Sequence, residues 1–423
     1  MNGLRNQTAE GPHEDGGDRP ISIPSAQPAC RDRDRTGPMA ASAIRTRQTA
    51  RHSNATLILP DRGIGSAMWP DQRLCDLFRV EHPIIQAPMM GSCTPELAGA
   101  VSNAGGLGSL GCGEKPATTI RAEAAAIRAR TNRSFNLNFF IIQQEKTDPR
   151  VLEAARKRLQ PWYDDLGLGD PPSELPPPGR GFDEERLEVV LSVRPRVVSF
   201  HFGHPEASHV EAMKAAGIVL VSSATSVAEA RVLEAAGMDA VIAQGWEAGG
   251  HRGSHKPTAP GDGVGTMALV PQIVDAVSVP VIAAGGIGDG RGIAAAMALG
   301  ASGVQMGTAF LSCPEAATEP ARRERLRQAT DRDTMVTDAF SGRSARAMRS
   351  RYAEEMERAR EALPPFPQMY ALSGPIRNAA GDSEASFFLY GQAAALSKEM
   401  AAGDLVARLV KEAREVMGYL SRR

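Results

Sequence analysis

The chain has 423 residues, 42% apolar and 23% charged, with a formal net charge of −1. That length holds one large barrel with appendages, or two ordinary domains. The near-zero charge gives no ground for a nucleic-acid or acidic-membrane partner, and no stretch reaches the apolar length of a bilayer-spanning helix.

Residues 1–67 mix Arg, Asp, Ser, Pro, Gln and Thr without apolar periodicity, the composition of a disordered extension. Glu10, Glu14, Asp15, Asp18, Asp32 and Asp34 argue against a transit peptide, and no signal-peptide core is present. Met39 and Met68 are alternative starts. A barrel is expected over 68–330, and a C-terminal helical segment over 331–423 that packs back onto it. The five cysteines, Cys30, Cys75, Cys93, Cys112 and Cys313, form no Cys-x-x-Cys pair and no cluster at zinc spacing. Neither a disulfide framework nor a metal site is expected, and a reducing cytoplasm is the expected compartment. Cys93 and Cys112 follow strands near glycines; a small buried side chain is the simpler reading of each.

From about residue 70, short apolar runs alternate with segments of helical period, the pattern of βαβ units on a parallel sheet. The first strand is Pro83 to Met89, and a helix follows from Thr94-Pro95 to Gly105. Leu107 to Leu110 is the second strand, trailed by an alanine-rich helix over 116–130; Phe135 to Ile141 is the third. Residues 145–195 are less regular, with helical pieces around a Pro-rich run at 171–178. The fourth strand is Val197 to Gly203. Three junctions then repeat one design, a small-residue helix end, a glycine and a strand: Gly217 before Ile218, Gly237 before Ala240, and Gly300 before Gly303. With Val279 to Ala284 between the last two, the tally is eight strands, each followed by a helix, which is what a (β/α)8 barrel requires. A doubly wound open sheet is the runner-up, weakened because no dinucleotide fingerprint follows the first strand. The tail carries Arg343, Arg346, Arg349 and Arg351, read as a solvated helix face. After a Pro-rich turn it ends in an amphipathic helix over 404–418.

Barrel enzymes work at the C-terminal ends of their strands. The seventh strand ends Ala284-Gly285-Gly286 and the eighth runs Gln305-Met306-Gly307-Thr308. Glycine lets backbone N–H groups approach a phosphate closely, and this end of a barrel commonly holds one. Ala87, Pro88 and Met89 after the first strand offer small and soft surfaces. Asn138 and Gln244 offer amides that suit a flavin ring edge. The loop Gln244 to Gly253 crowds Glu247, His251, Arg252 and four glycines, Gly249 and Gly250 among them, into ten residues. In the fourth strand Val198, Phe200 and Phe202 share one face by period two, which suits packing under the helices; Ser199 and His201 then point into the barrel. His201 is the candidate base. His251 is a second candidate, and His204 and His209 are read as surface residues.

With these motifs in place, the chain resembles the nitronate monooxygenases, formerly 2-nitropropane dioxygenases. The matching stretches are Gln86 to Met89, Val101 to Gly108, Ser199 to Gly203, Gln244 to Gly253, Ala283 to Ile287, Gln305 to Thr308, Phe340 to Arg343 and Tyr390 to Gln392. The resemblance runs from about residue 72 to the C-terminus and is strongest to the first class of the family. It implies an FMN-containing barrel that takes an electron from an alkyl nitronate. The reduced flavin passes it to O2, giving a carbonyl compound and nitrite. Gln244, Gly249, Gly286 and Gln305 to Thr308 match its FMN-binding motifs, with Ala87 to Met89 and Asn138 beside them, and His201 matches its catalytic histidine. Met90 departs from the family's first motif and is expected to narrow the substrate pocket; Ile141 to Gln144 also departs from it. A homodimer is left open. The alternatives are an NAD(P)H-dependent reductase of quinones or enoyl thioesters on the same barrel, a non-catalytic flavin-binding sensor, and a phosphate-sugar isomerase, which would have no use for Gln244 or Asn138.

Overall fold

The computed structural model of the chain describes residues 69–142, 147–175, 181–257, 261–358, 363–381 and 383–422. The extension at 1–67, with Cys30, Met39 and Met68, lies outside the described residues, as do Gln143, Gln144 and part of the Pro-rich run. In chain order the strands are β1 (Ile84–Gln86), β2 (Gly108–Gly111), β3 (Phe135–Phe140), β4 (Val197–His201), β5 (Val219–Ala224), β6 (Ala240–Gln244), β7 (Gly250–His251), β8 (Val281–Ala284), β9 (Gly303–Met306), β10 (Thr334–Thr337) and β11 (Ala345–Met348). Eight of them, all but β7, β10 and β11, form one parallel sheet in the order β1-β9-β8-β6-β5-β4-β3-β2. A parallel bridge between Ile85 and Leu107 joins its two ends. The architecture is a (β/α)8 barrel.

Local chemistry explains the units. Thr94 caps the helix Pro95–Asn103 by accepting from the Leu97 amide at 3.0 Å, and Pro95 takes the first helical position. Gly217, Gly237 and Gly300 leave their helices with φ of 74, 88 and 93°, a region closed to most side chains. Strands buried on both faces need apolar side chains both ways. Val198, Phe200, Leu220 and Val241 pack outward under the helices. Ile85, Val197, Val221 and Ile242 fill the barrel interior, where the helix Arg73–Phe78 adds Leu74 and Phe78.

The tail departs from expectation in two places. Arg343 and Arg346 are not on a helix. Arg346 sits in β11, which pairs antiparallel with β10 and, across Ala345↔His251 and Arg346↔Gly250, with β7. All four residues of β11 are buried, and Arg346 is accommodated there by donating to the Trp246 carbonyl and to Thr334 Oγ1. Only Arg349 and Arg351 have the exposed side chains expected of the whole cluster. Second, β9 is followed by only one helical turn, Thr308–Leu311. The last helix, Ala402–Leu420, packs against Gly290–Ala298 and Pro95–Asn103, the helices after β8 and β1, and so takes the eighth outer position. The chain between folds with the helix Pro149–Asp165 into a second apolar cluster around Trp162, Phe340 and Tyr352. Among the described residues no helix is long and apolar enough to cross a membrane.

The docking of that last helix is testable at Gly290, where a Cβ would stand 2.3 Å from the Glu412 Cβ and 2.4 Å from the Ala413 amide nitrogen. Gly290→Ala is expected to cost about 1–3 kcal/mol by overpacking, although helix propensity alone favours alanine. A thermal-unfolding midpoint that holds or rises would contradict this packing.

Candidate active site

The C-terminal ends of the barrel strands open into a cavity of about 510 Å³, a size usual for cofactor and substrate sites. Ala87, Pro88, Met89, Asn138, His201, Gln244, Gly249, Gly250, Gly285, Gly286, Gln305, Met306, Gly307 and Thr308 all line it. Parallel strands bring these distant positions together, because all end on the same face.

The turn after β1 is shaped from behind by Cys93, whose Sγ accepts from the Met89 amide at 2.8 Å and from Gln86 Nε2 at 3.0 Å. Cys93 and Cys112 are buried and do not line the cavity. Beneath the opening lies a polar layer. Asn136 Nδ2 donates to Ser109 Oγ and Ser199 Oγ at 3.1 and 2.9 Å, and Asn138 Nδ2 donates to Ser199 Oγ at 3.0 Å. Asn138 therefore presents its Oδ1 to the cavity.

After β8, Gly285 and Gly286 have φ of 106 and 72°, and a Cβ on Gly285 would stand 2.9 Å from the Ala248 nitrogen. After β9, Thr308 Oγ1 accepts from the Gly391 amide at 2.9 Å, so the tail closes this side of the site. At Gly250 an added Cβ would meet no heavy atom within 4 Å, which keeps that wall open to a ligand. Glycine backbone at two adjacent strand ends suits a phosphate. The Asn138 oxygen and the Gln305 amide suit a heterocycle edge, and Ala87 and Met89 suit its face. The residues present fit FMN.

The loop after β6 is tied by its own polar groups. Gln244 Nε2 donates to the His251 carbonyl at 3.0 Å, and its Oε1 accepts from the Gly253 amide at 2.7 Å. This corrects the expectation of an amide held out to a ring: both ends of Gln244 first serve the loop, leaving one N–H and one lone pair for a ligand. Glu247 accepts from the Thr266 amide and hydroxyl at 2.9 Å. Gly249 lies so close to Tyr390 and Gly391 that a Cβ there would meet Gly391 N at 2.4 Å.

His201 is half-buried in this wall, with its side chain lining the cavity. Its Nδ1 lies 3.0 Å from Ser223 Oγ and its Nε2 3.1 Å from the His251 carbonyl oxygen. Burial lowers its pKa to about 4, and the Arg343 and Arg252 guanidiniums push the same way. His251 also lines the cavity, with Nε2 2.9 Å from Ser341 Oγ. Burial brings its pKa to about 3, and Arg343 and Arg377 oppose its charging too. Both imidazoles are neutral at pH 7, in a surround that favours an anion.

Phe202 breaks the two-residue alternation. Its φ is 76°, and its ring leaves the helix layer to lie among Phe140, His251 and Phe366 under the Arg343 guanidinium, 3.9 Å from the ring centre. His209 is buried rather than at the surface, with Nε2 2.7 Å from Glu184 Oε2; His204 is half-buried. Sequence reasoning missed the outer wall. Phe366, Tyr370, Phe387 and Phe388 face the cavity from the tail, opposite Phe140 and Met90. The only signal was the aromatic content of a segment read as a turn.

The sequence profile of the nitronate monooxygenase family matches residues 71–412. A probable nitronate monooxygenase of Staphylococcus aureus (strain JH9) is 40% identical over 360 residues, covering 83% of this chain and all of the relative. A crystal structure of nitroalkane oxidase from Streptomyces ansochromogenes superposes with a TM-score of 0.75 at 38% identity, covering 82% of this chain and 99% of its own. The structure of FabK from Thermotoga maritima gives a TM-score of 0.64 at 34% identity, covering 82% and 98%.

The two cavity histidines have a consequence for stability. Their folded pKa values lie below the ordinary value of 6.5, so the unfolded chain binds more protons. The stabilisation they confer is complete above pH 6.5 and is lost as pH falls toward 4 and then 3. Urea midpoints should fall between pH 7 and pH 5, and fall less in His251→Asn. An identical pH dependence in that variant would contradict a neutral buried His251.

Proposed function

The chain belongs to the nitronate monooxygenase family, and on that footing we propose that it uses FMN and O2 to oxidise alkyl nitronates to a carbonyl compound and nitrite. It is a flavin-dependent oxidoreductase of nitro compounds. The observation that carries the finer reading is one cavity lined both by His201 and by the glycine strand ends of β8 and β9.

A bound flavin would supply the one-electron chemistry between nitronate and O2. This chain's own residues do the rest. Gly285, Gly286, Gly307 and Thr308 would hold the phosphate at backbone. Asn138 and Gln305 would orient the ring. Arg343, Arg252 and the neutral imidazoles favour an anionic substrate in the cavity, and the ring wall of Phe140, Phe366, Tyr370, Phe387 and Phe388 excludes water and takes up an alkyl chain. Met90, 40% exposed at the rim, narrows the entrance.

The test is oxygen uptake and nitrite release with a small pre-formed alkyl nitronate, run beside NADH or NADPH with a quinone or an enoyl thioester. Nitrite formed in step with oxygen uptake supports the proposal. Turnover only with a nicotinamide would replace it with the reductase alternative. His201→Asn should keep its flavin and lower the ratio of activity on neutral nitroalkane to activity on nitronate by about 10²-fold or more, the usual worth of a positioned base. Equal loss on both substrates would remove that role from His201.

A further inference from the structure

We propose that Ser223 relays the proton between a neutral nitroalkane and His201, its hydroxyl being the member of the pair that meets the substrate. The inference rests on the nitronate reading above and concerns how the nitronate is made from the neutral acid.

The His251 carbonyl oxygen, 3.1 Å from His201 Nε2, can only accept. Nε2 therefore carries the hydrogen, and the one lone pair of the neutral ring is on Nδ1. Ser223 Oγ stands 3.0 Å from that lone pair, so the serine donates to it. No lone pair of His201 is open to the cavity in this arrangement, whereas Ser223, at the end of β5, lines the cavity itself. The arrangement is held from behind. A Cβ at Gly253 would lie 2.8 Å from both His201 Cε1 and Ser223 Cβ, so the Gly253 backbone packs closely behind the pair and only glycine fits there. The charged and titratable groups around the ring are Arg252, Arg343, His251 and His255. None of these is a carboxylate; of the two carboxylates that line the cavity, Glu247 accepts from the Thr266 amide and hydroxyl at 2.9 Å, and Glu114 stands after β2.

The step balances. The C–H bond next to the nitro group breaks and its proton joins Ser223 Oγ. The former Ser223 hydroxyl proton passes to His201 Nδ1, and the electron pair stays on the substrate as the nitronate. The imidazolium so formed keeps its Nε2–H on the His251 carbonyl until water removes the Nδ1 proton.

The experiment compares flavin-loaded wild type, Ser223→Ala, Ser223→Thr, His201→Asn, the Ser223→Ala/His201→Asn pair and His251→Asn. Each is assayed for nitrite release from a neutral nitroalkane and from its pre-formed nitronate. The expected result is a fall of about 10²-fold or more in the neutral-to-nitronate ratio for Ser223→Ala, no further fall in the double variant, and recovery in Ser223→Thr. Wild type should also show a solvent deuterium effect on kcat/KM for the neutral substrate that Ser223→Ala lacks, which a merely structural serine would not produce. The relay is overturned if Ser223→Ala keeps the wild-type ratio, if only His251→Asn lowers it, or if wild type is inert toward the neutral acid while oxidising the nitronate. A wild type that leaves the nitronate itself untouched overturns the function reading, and the relay with it.

Discussion

Arg252 is buried, and its hydrogen bonds go to backbone rather than to a carboxylate, with Glu247 and Glu229 near enough to favour its charge. Its guanidinium donates to the carbonyls of Gln244 and Gly245, at 2.9 and 2.5 Å, and faces the Trp246 ring at 5.2 Å. A buried charge costs heavily unless its hydrogens are used. These are used on the backbone that turns out of β6. Arg346 adds two more donations, to the Trp246 carbonyl at 2.9 and 3.1 Å. Between them the two arginines fix a turn that must bring Gly249, Gly250 and the His251 carbonyl to the barrel mouth. The orientation of His201 depends on that carbonyl, and the seating of the tail depends on Gly249 and on the pairing of β7 with β11.

Two neutral histidines then lie beside guanidiniums in a wall closed by aromatic rings. Burial and like charge both hold the imidazoles unprotonated. A low local dielectric magnifies the charge of the Arg252 and Arg343 guanidiniums beside the imidazoles, and Arg322 and Arg377 line the cavity together with Glu114 and Glu247. An anion with an apolar tail matches both the charge and the surface of this cavity.

Much of this was legible in the chain. The barrel was, because eight βα units repeat one rhythm and because Gly217, Gly237 and Gly300 mark helix ends by a conformation that other residues avoid. The strand-end residues of the cavity were, because all parallel strands end on one face. What was not legible depends on long-range contacts. Arg346 reads as a surface charge until β7 and the Trp246 carbonyl are known to be its neighbours. Gln244 reads as a free amide until the loop folds back onto it. Phe202 leaves the alternation because positive φ at Phe202 and Gly203 ends the strand at His201, two residues before the expected end. The eighth outer helix arrives only after a long insertion that builds the aromatic wall, so its place in the ring is set by packing on Gly290 rather than by sequence order.

The central claim is that electrons enter this barrel from a nitronate and not from a nicotinamide. The direct measurement is an anaerobic titration of the flavin-loaded protein, followed by visible absorbance, with a small alkyl nitronate and separately with NADH and NADPH. Loss of the oxidised flavin bands with nitronate alone is the result the account predicts. Loss with a nicotinamide alone would contradict it, leaving the fold and cofactor in place with the reaction reassigned to the reductases.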